Sequence, residues 1–326
     1  MKNVLFAICL LAVFSISGCV QQGSVTETQP RRPAPVVTSF LEIYDLTTGT
    51  RTVIKDFINT RIEAPNWTPD GKWLIYNSGG LLYKISPDIP NDEPIQLNTE
   101  FVTACNNDHV VSFDGTFIGI SASPAEIRQS YIYTMPIEGG TPQLITPIGP
   151  SYLHGISPDN EFLTYAGSRD GNFDIYIIPT KGGREIRLTT DDAYDDGPEY
   201  SRDGKHIWFN SVRSGLMQIW RMNPDGSEQT QITFDEDLNS WFPHISPDGK
   251  QVVFLAYHEG DVDPGAHPAN KNVVLRIMPI EGGTPTTLVE LFGGQGTINV
   301  NSWSPDSQRF AFVSYRLEEQ EAPPTQ

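Results

Sequence analysis

Cysteine is scarce in this 326-residue chain, and the three present cannot build a disulfide framework. Cys9 and Cys19 fall at the start of the chain, so Cys105 stands alone in the remainder and reads as a buried small hydrophobe rather than a nucleophile. Basic residues are also few. Against 40 Asp and Glu there are 22 Lys and Arg, a formal net charge of −18 that argues against binding to nucleic acid or an anionic membrane. No apolar run reaches the roughly 20 residues of a membrane-spanning helix. Gly-x-Ser-x-Gly, His-Glu-x-x-His and Cys-x-x-Cys are absent, so no serine-hydrolase, zinc-protease or dithiol signature is written into the chain.

What the chain does contain is a repeat. Pro-Asp-Gly or a near variant precedes a short apolar and aromatic run six times, with anchor aspartates Asp70, Asp114, Asp159, Asp203, Asp248 and Asp306. Successive anchors are 44, 45, 44, 45 and 58 residues apart. A period of ~40 to 45 residues with a turn and alternating β-branched and aromatic residues is that of a propeller blade. The expectation is therefore an all-β, six-bladed β-propeller. The anchor aspartates read as structural, since Asp in a tight turn bonds neighbouring backbone amides.

One unit shows how the strands are laid out. Residues 198–201, 206–209, 218–222 and 229–233 form four strands from the channel outward, alternating large apolar with polar residues. Glycine-bearing turns at Gly139-Gly140, Gly182-Gly183, Gly226 and Gly282-Gly283 join the third strand to the fourth. After the sixth anchor there is room for only two strands, at 301–304 and 309–315, and the missing pair reads at 41–46 and 51–57. The last blade is thus expected to be assembled from both ends of the propeller, which removes an exposed sheet edge.

The N-terminal residues read as an export signal. A charged start, an apolar run over 4–14 and Ile16-Ser17-Gly18-Cys19 predict a lipoprotein signal peptide over 1–18, with Cys19 lipidated and residues 19–39 a flexible tether. The propeller is assigned to 40–315 and a disordered tail to 316–326. With Val20 after the cysteine, the reading is a periplasmic protein held by its N-terminal lipid alone, at the outer membrane.

Candidate functional residues are those that depart from the repeat. The longest insertion, 258–271, lies between the second and third strands of the fifth unit, on the face where the inner strands begin. His109, His154 and His244 lie near those beginnings, so that with His258 and His267 five of the six histidines are expected to converge at one mouth of the channel, outside the well-filled core. Gln295 and Asn299 lead into the last blade beside them. Imidazoles so gathered suit a divalent metal or acid–base chemistry. The acidic runs Asp191, Asp192, Asp195, Asp196, Glu199 and Asp235, Glu236, Asp237 read as a solvated rim, with a divalent cation or a basic partner as the alternative.

The units Trp67-Thr68-Pro69-Asp70-Gly71-Lys72, Ile245-Ser246-Pro247-Asp248-Gly249-Lys250 and Trp303-Ser304-Pro305-Asp306, with Met222-Asn223-Pro224-Asp225-Gly226, resemble the TolB-type propeller repeat. That resemblance implies a ligand- or protein-binding module, with an envelope protein as partner and a monomeric state. The repeat is shared with the oligogalacturonate lyases, and resemblance to them implies an alternative: a metal held by His and Gln at the channel mouth, an oligosaccharide substrate, and Arg169 or Arg213 pairing with a uronate or acting as base. TolB itself carries a separate N-terminal domain and the peptidase propellers an α/β-hydrolase domain; neither is recognised in this sequence.

Overall fold

The computed structural model describes residues 35–124 and 126–320. The expected signal peptide, Cys19 and nearly all of the tether lie outside the described residues. Among those residues every regular element is a strand, and the sheets form six blades. The inner strands of blades one to five are Glu63–Trp67, Cys105–Val111, Ser151–Ile156, Asp195–Tyr200 and Leu238–Ile245. In each of these blades the four strands follow one another in chain order from the channel outward, all antiparallel. Inner strands of successive blades lie side by side around the channel.

The anchor turns explain the repeat. In all six, the aspartate Oδ1 accepts a hydrogen bond from a Ser or Thr hydroxyl two residues before it, at 2.5–2.8 Å, and from the backbone N–H two residues after it, at 3.0–3.1 Å. Those bonds favour the ionised form and hold each carboxyl below its ordinary value. The aspartates are therefore turn fixtures.

Outer strands in blades one to four are shorter than expected, only two residues each, as at Thr230–Gln231. A side chain takes over where the backbone ladder stops. Thr146, Thr189 and Thr233 accept the backbone N–H of Ile132, Ile175 and Ile219 at 2.8–2.9 Å, the same bond in three blades.

Blade six closes the ring as expected. Val36–Asp45 pairs with Arg309–Glu318 on one side and Thr50–Phe57 on the other. The pairing runs out to Val36 and Glu318, so residues 36–39 and 316–318, expected in the tether and tail, belong to the blade. Its innermost segment is not a regular strand: residues 301–304 join the sheet through the Trp303–Phe310 bridge and the Ala311 N–H to Ser302 O bond of 3.0 Å.

The apolar core lies between blades. Trp208 of blade four packs with Val252 and Phe254 of blade five, and Leu41, Ala311 and Val313 of the closing blade pack with Trp67, Leu74 and Tyr76 of blade one. Burying each such large side chain stabilises the fold by roughly 1.5–3 kcal/mol. What this leaves to the channel is the polar face of the inner strands.

Candidate functional site

The five regular inner strands share an irregularity. Each has a register shift, between Glu63 and Asn66, Cys105 and His109, Leu153 and Gly155, Asp196 and Glu199, and Trp241 and His244. At three of these shifts the backbone turns left-handed, at Ala64 (φ 55°), Gly197 (φ 61°) and Phe242 (φ 56°). A bulge re-aims side chains that strict alternation would send elsewhere, and for a bulky Phe the positive φ is strained. A Cβ on Gly197 would come within 2.4 Å of Asn210 Oδ1 and 3.0 Å of the Phe242 ring, so only glycine fits there.

These bulges assemble a buried charged cluster. His154 Nε2 stands 3.1 Å from Asp196 Oδ1 and 3.8 Å from Asp108 Oδ1. The second Asp196 oxygen accepts the Tyr194 hydroxyl at 2.7 Å, and the Gly197 N–H bonds Asp196 Oδ1. Asp108 accepts from Asn299 Nδ2 at 2.6 Å and Asn106 Nδ2 at 2.8 Å. The strained Phe242 stacks on the His154 ring at 5.5 Å and meets His267 edge-on at 5.4 Å, while Trp241 lies 4.3 Å from His267.

Electrostatics divides the three titrating groups. Burial opposes the charge of His154, but the hydrogen bond and charge of Asp196 and the charge of Asp108 raise its affinity for a proton. Burial works against Asp196 too, and the His154 bond outweighs it, so that carboxyl lies below the ordinary range. Asp108 is pushed up to about 7, burial dominating the His154 attraction. The three groups are thus driven apart: His154 and Asp196 favour an ion pair, and burial favours the protonated form of Asp108.

His244 is differently employed. Its Nε2–H donates to Ile298 O at 2.9 Å, and its Nδ1 stands 2.7 Å from Glu199 Oε2. Glu199 Oε1 accepts the Ile245 N–H at 2.9 Å and Asn301 Nδ2 at 2.6 Å. Blades four, five and six are tied together through this pair.

The histidines therefore do not form one set at a mouth. His109, His154 and His244 lie past the middle of their strands and are buried; only His154 and His267 come together. His109 is fully buried with neither ring nitrogen bonded, and burial pulls it down to about 3. His258 stays exposed at the end of Gln251–His258. Gln295 is half-buried, its N–H on Pro268 O at 3.3 Å. Among the described residues no group of three or more His, Cys, Asp or Glu side chains is placed to hold a metal ion.

Both candidate arginines are already committed. Arg169 forms a two-pronged pair with Glu185 at 2.8 Å and 2.8 Å and stacks on Tyr176; Arg213 holds Asp195 at 2.7 Å and Asp191 at 2.8 Å and stacks on Trp220. The expected acidic rim is also partly internal, since Asp195, Asp196 and Glu199 are buried in the inner strand of blade four. Cys105 is buried, which pushes its thiol up to about 12.

Sequence reasoning missed Asp108, Asp196, Glu199 and Phe242. The available signal was position: counted back from the anchor, Asp196 stands at the place held by Glu63 and Trp241, where the bulge begins.

Toward the anchor turns the channel opens into a cavity of about 100 Å³. All six inner segments line it, through residues such as Trp67, Val111, His154, Glu199, Ile245 and Trp303.

Residues 148–272 match the profile of the TolB beta propeller domain. An uncharacterized protein of Agrobacterium fabrum is 46% identical over 284 residues, covering 87% of this chain and 94% of that protein. A solved structure from Agrobacterium tumefaciens, provisionally assigned to TolB, superposes with a TM-score of 0.80 at 47% identity, covering 86% of this chain and 99% of that one. The Tol-Pal system protein TolB of Francisella tularensis is 25% identical over 252 residues, 75% of this chain and 54% of that protein, so the chain spans about half the length of that relative.

Proposed function

For a chain that belongs to the TolB-like β-propeller family, we propose the role of a periplasmic binding module, anchored at the outer membrane by lipid on Cys19, that engages an envelope protein as a monomer through the channel. One observation carries this reading. The channel cavity is built by all six blades, yet measures only about 100 Å³. Pockets that enclose a small molecule run to roughly 300–1,000 Å³. A space of this size takes one protruding side chain of a larger partner, not an oligosaccharide.

The lyase alternative draws less support. A metal-dependent elimination needs imidazoles converging on one ion, and these are dispersed: His109 is enclosed, His244 is bonded on both nitrogens, and His258 is exposed. A uronate needs an uncommitted guanidinium, and Arg169 and Arg213 already hold Glu185 and Asp195. The residues present do not fit that metal site.

The test is photo-crosslinking in cells. Benzoylphenylalanine at position 113, on the cavity lining, is expected to give a discrete adduct with an envelope protein, and the same group at the exposed Thr52 none. In parallel, Cys19→Ser is expected to move the protein from the membrane to the soluble periplasmic fraction. Equal adducts from both positions, or release of unsaturated product from oligogalacturonate, would count against the reading.

A further inference from the structure

The position before each anchor aspartate is proline in four blades, Pro69, Pro158, Pro247 and Pro305, and departs from proline in two, at Phe113 and Arg202. The two departures meet. The Arg202 guanidinium lies over the Phe113 ring, 4.6 Å from its centroid. Blade three stands between them in the ring, but its Pro158 lines an outer groove with Ile177 and Ile186 instead of the cavity. Phe113 and Arg202 thus reach across the mouth of a cavity that both line.

Arg202 is also the charged group there that holds no carboxylate; His154 lines the cavity as well, with Nδ1 unbonded, but its Nε2 is held by Asp196. Thr68 and Ser112 bond their anchor aspartates, Asn66 donates to Asn301 O, and Glu199 is held by His244 and Asn301. Elsewhere in the ring Arg169, Arg213 and Arg276 stack on an aromatic ring and hold a carboxylate as well. Arg202 stacks without one. The mouth does not repel an anion as strongly as its six aspartates suggest, since Lys72, Lys205 and Lys250 pair with Asp70, Asp203 and Asp248 at 3.0–3.1 Å.

We propose that Phe113 and Arg202 form a cap over the channel cavity, and that the group the cap admits is a carboxylate on a partner's side chain, which Arg202 takes up in place of the Phe113 ring. The volume sets the size: a cavity of about 100 Å³ has room for the end of one acidic side chain. A two-pronged guanidinium–carboxylate pair is stronger than an exposed cation–π contact, so the exchange runs toward the bound form. This inference rests on the channel being the binding face.

The experiment uses the indole N–H signals of Trp67 and Trp303, which line the cavity, in 15N-labelled protein. N-acetyl-glutamate amide and N-acetyl-glutamine amide are titrated as probes of equal shape and different charge. The glutamate probe is expected to shift both indoles saturably and the glutamine probe to leave them in place. Arg202→Gln is expected to weaken the glutamate probe at least about tenfold, and Phe113→Leu to leave its affinity equal or a few-fold tighter. Equal response to both probes with Arg202→Gln unchanged overturns the carboxylate assignment, and loss of binding in Phe113→Leu overturns the cap. If the probes fail while crosslinking from position 113 still captures an envelope protein, this inference falls and the binding function stands.

Discussion

Asp108 and Asp196 begin from the same ordinary carboxylate value, and the fold drives them in opposite directions around His154. Asp108, raised to about 7 by burial, keeps a proton that the unfolded chain releases near pH 4. Its contribution to stability is therefore full below about pH 4 and is lost as pH rises through 7. His154, also raised, has the same sign: its contribution is present below about pH 6.5 and is lost as pH climbs past its folded value. Asp196, depressed, stabilises above about pH 4 and loses that contribution in acid. Asp108→Asn mimics the protonated form, and Asn299, whose Oδ1 is unbonded, can turn its amide oxygen toward it. This variant is expected to flatten the decline in stability between about pH 4 and 7 and to be more stable than the parent at about pH 8, read by urea unfolding. An unaltered pH slope would show that Asp108 is ionised in the folded protein.

At the level of the strand, the bulge is the unit that matters. An unbroken inner strand would send alternate side chains to the channel, whereas around the shift between Asp196 and Glu199 both are in buried polar contacts, Asp196 with His154 of blade three and Glu199 with His244 of blade five. The His244–Glu199 pair then works as a rivet between blades. His244→Ala leaves the Glu199 oxygen and Ile298 O without their partner in a buried setting, a loss of about 3 kcal/mol. The expectation drawn from sequence, that such a histidine lies outside the well-filled core, does not hold for a side chain only 3% exposed. Chemical denaturation checks it: a loss below about 1 kcal/mol would mean that the pair contributes little.

For the whole molecule, stability depends on closure. Val36–Asp45 is the central strand of the described closing sheet, bonded on both sides, and it pairs with the far end of the propeller through the register Val36↔Glu318 to Asp45↔Arg309. Deleting 36–57 removes both N-terminal strands and exposes the edge at Arg309–Glu318 together with Trp67, Leu74 and Tyr76. The truncated protein is expected to self-associate and to melt earlier, seen by light scattering after gel filtration and by circular dichroism. A monomer of unchanged melting temperature would contradict the closure.

The sequence by itself determined the blade number, the anchor turns, the glycine turns and the split last blade, because each rests on local chemistry repeated at a fixed period. A Ser or Thr two residues before an Asp makes the same turn wherever it occurs, so six copies report one architecture. Residue type and strand order also brought His154 and His267 under suspicion before their contact was known. The bulges, by contrast, depend on how inner strands fit around a common axis, and they decided which acidic residues turn inward. Asp196, read as rim, became the partner of His154, while His258, read as ligand, stayed in solvent. Arg169 and Arg213 stand in equivalent positions near the end of the second strand, and only tertiary structure showed both already occupied by carboxylates. Phe113 and Arg202 lie 89 residues apart in the chain, and nothing local links them. Their contact exists because the closed ring brings two non-adjacent blades to one mouth, a long-range geometry that no periodic pattern encodes.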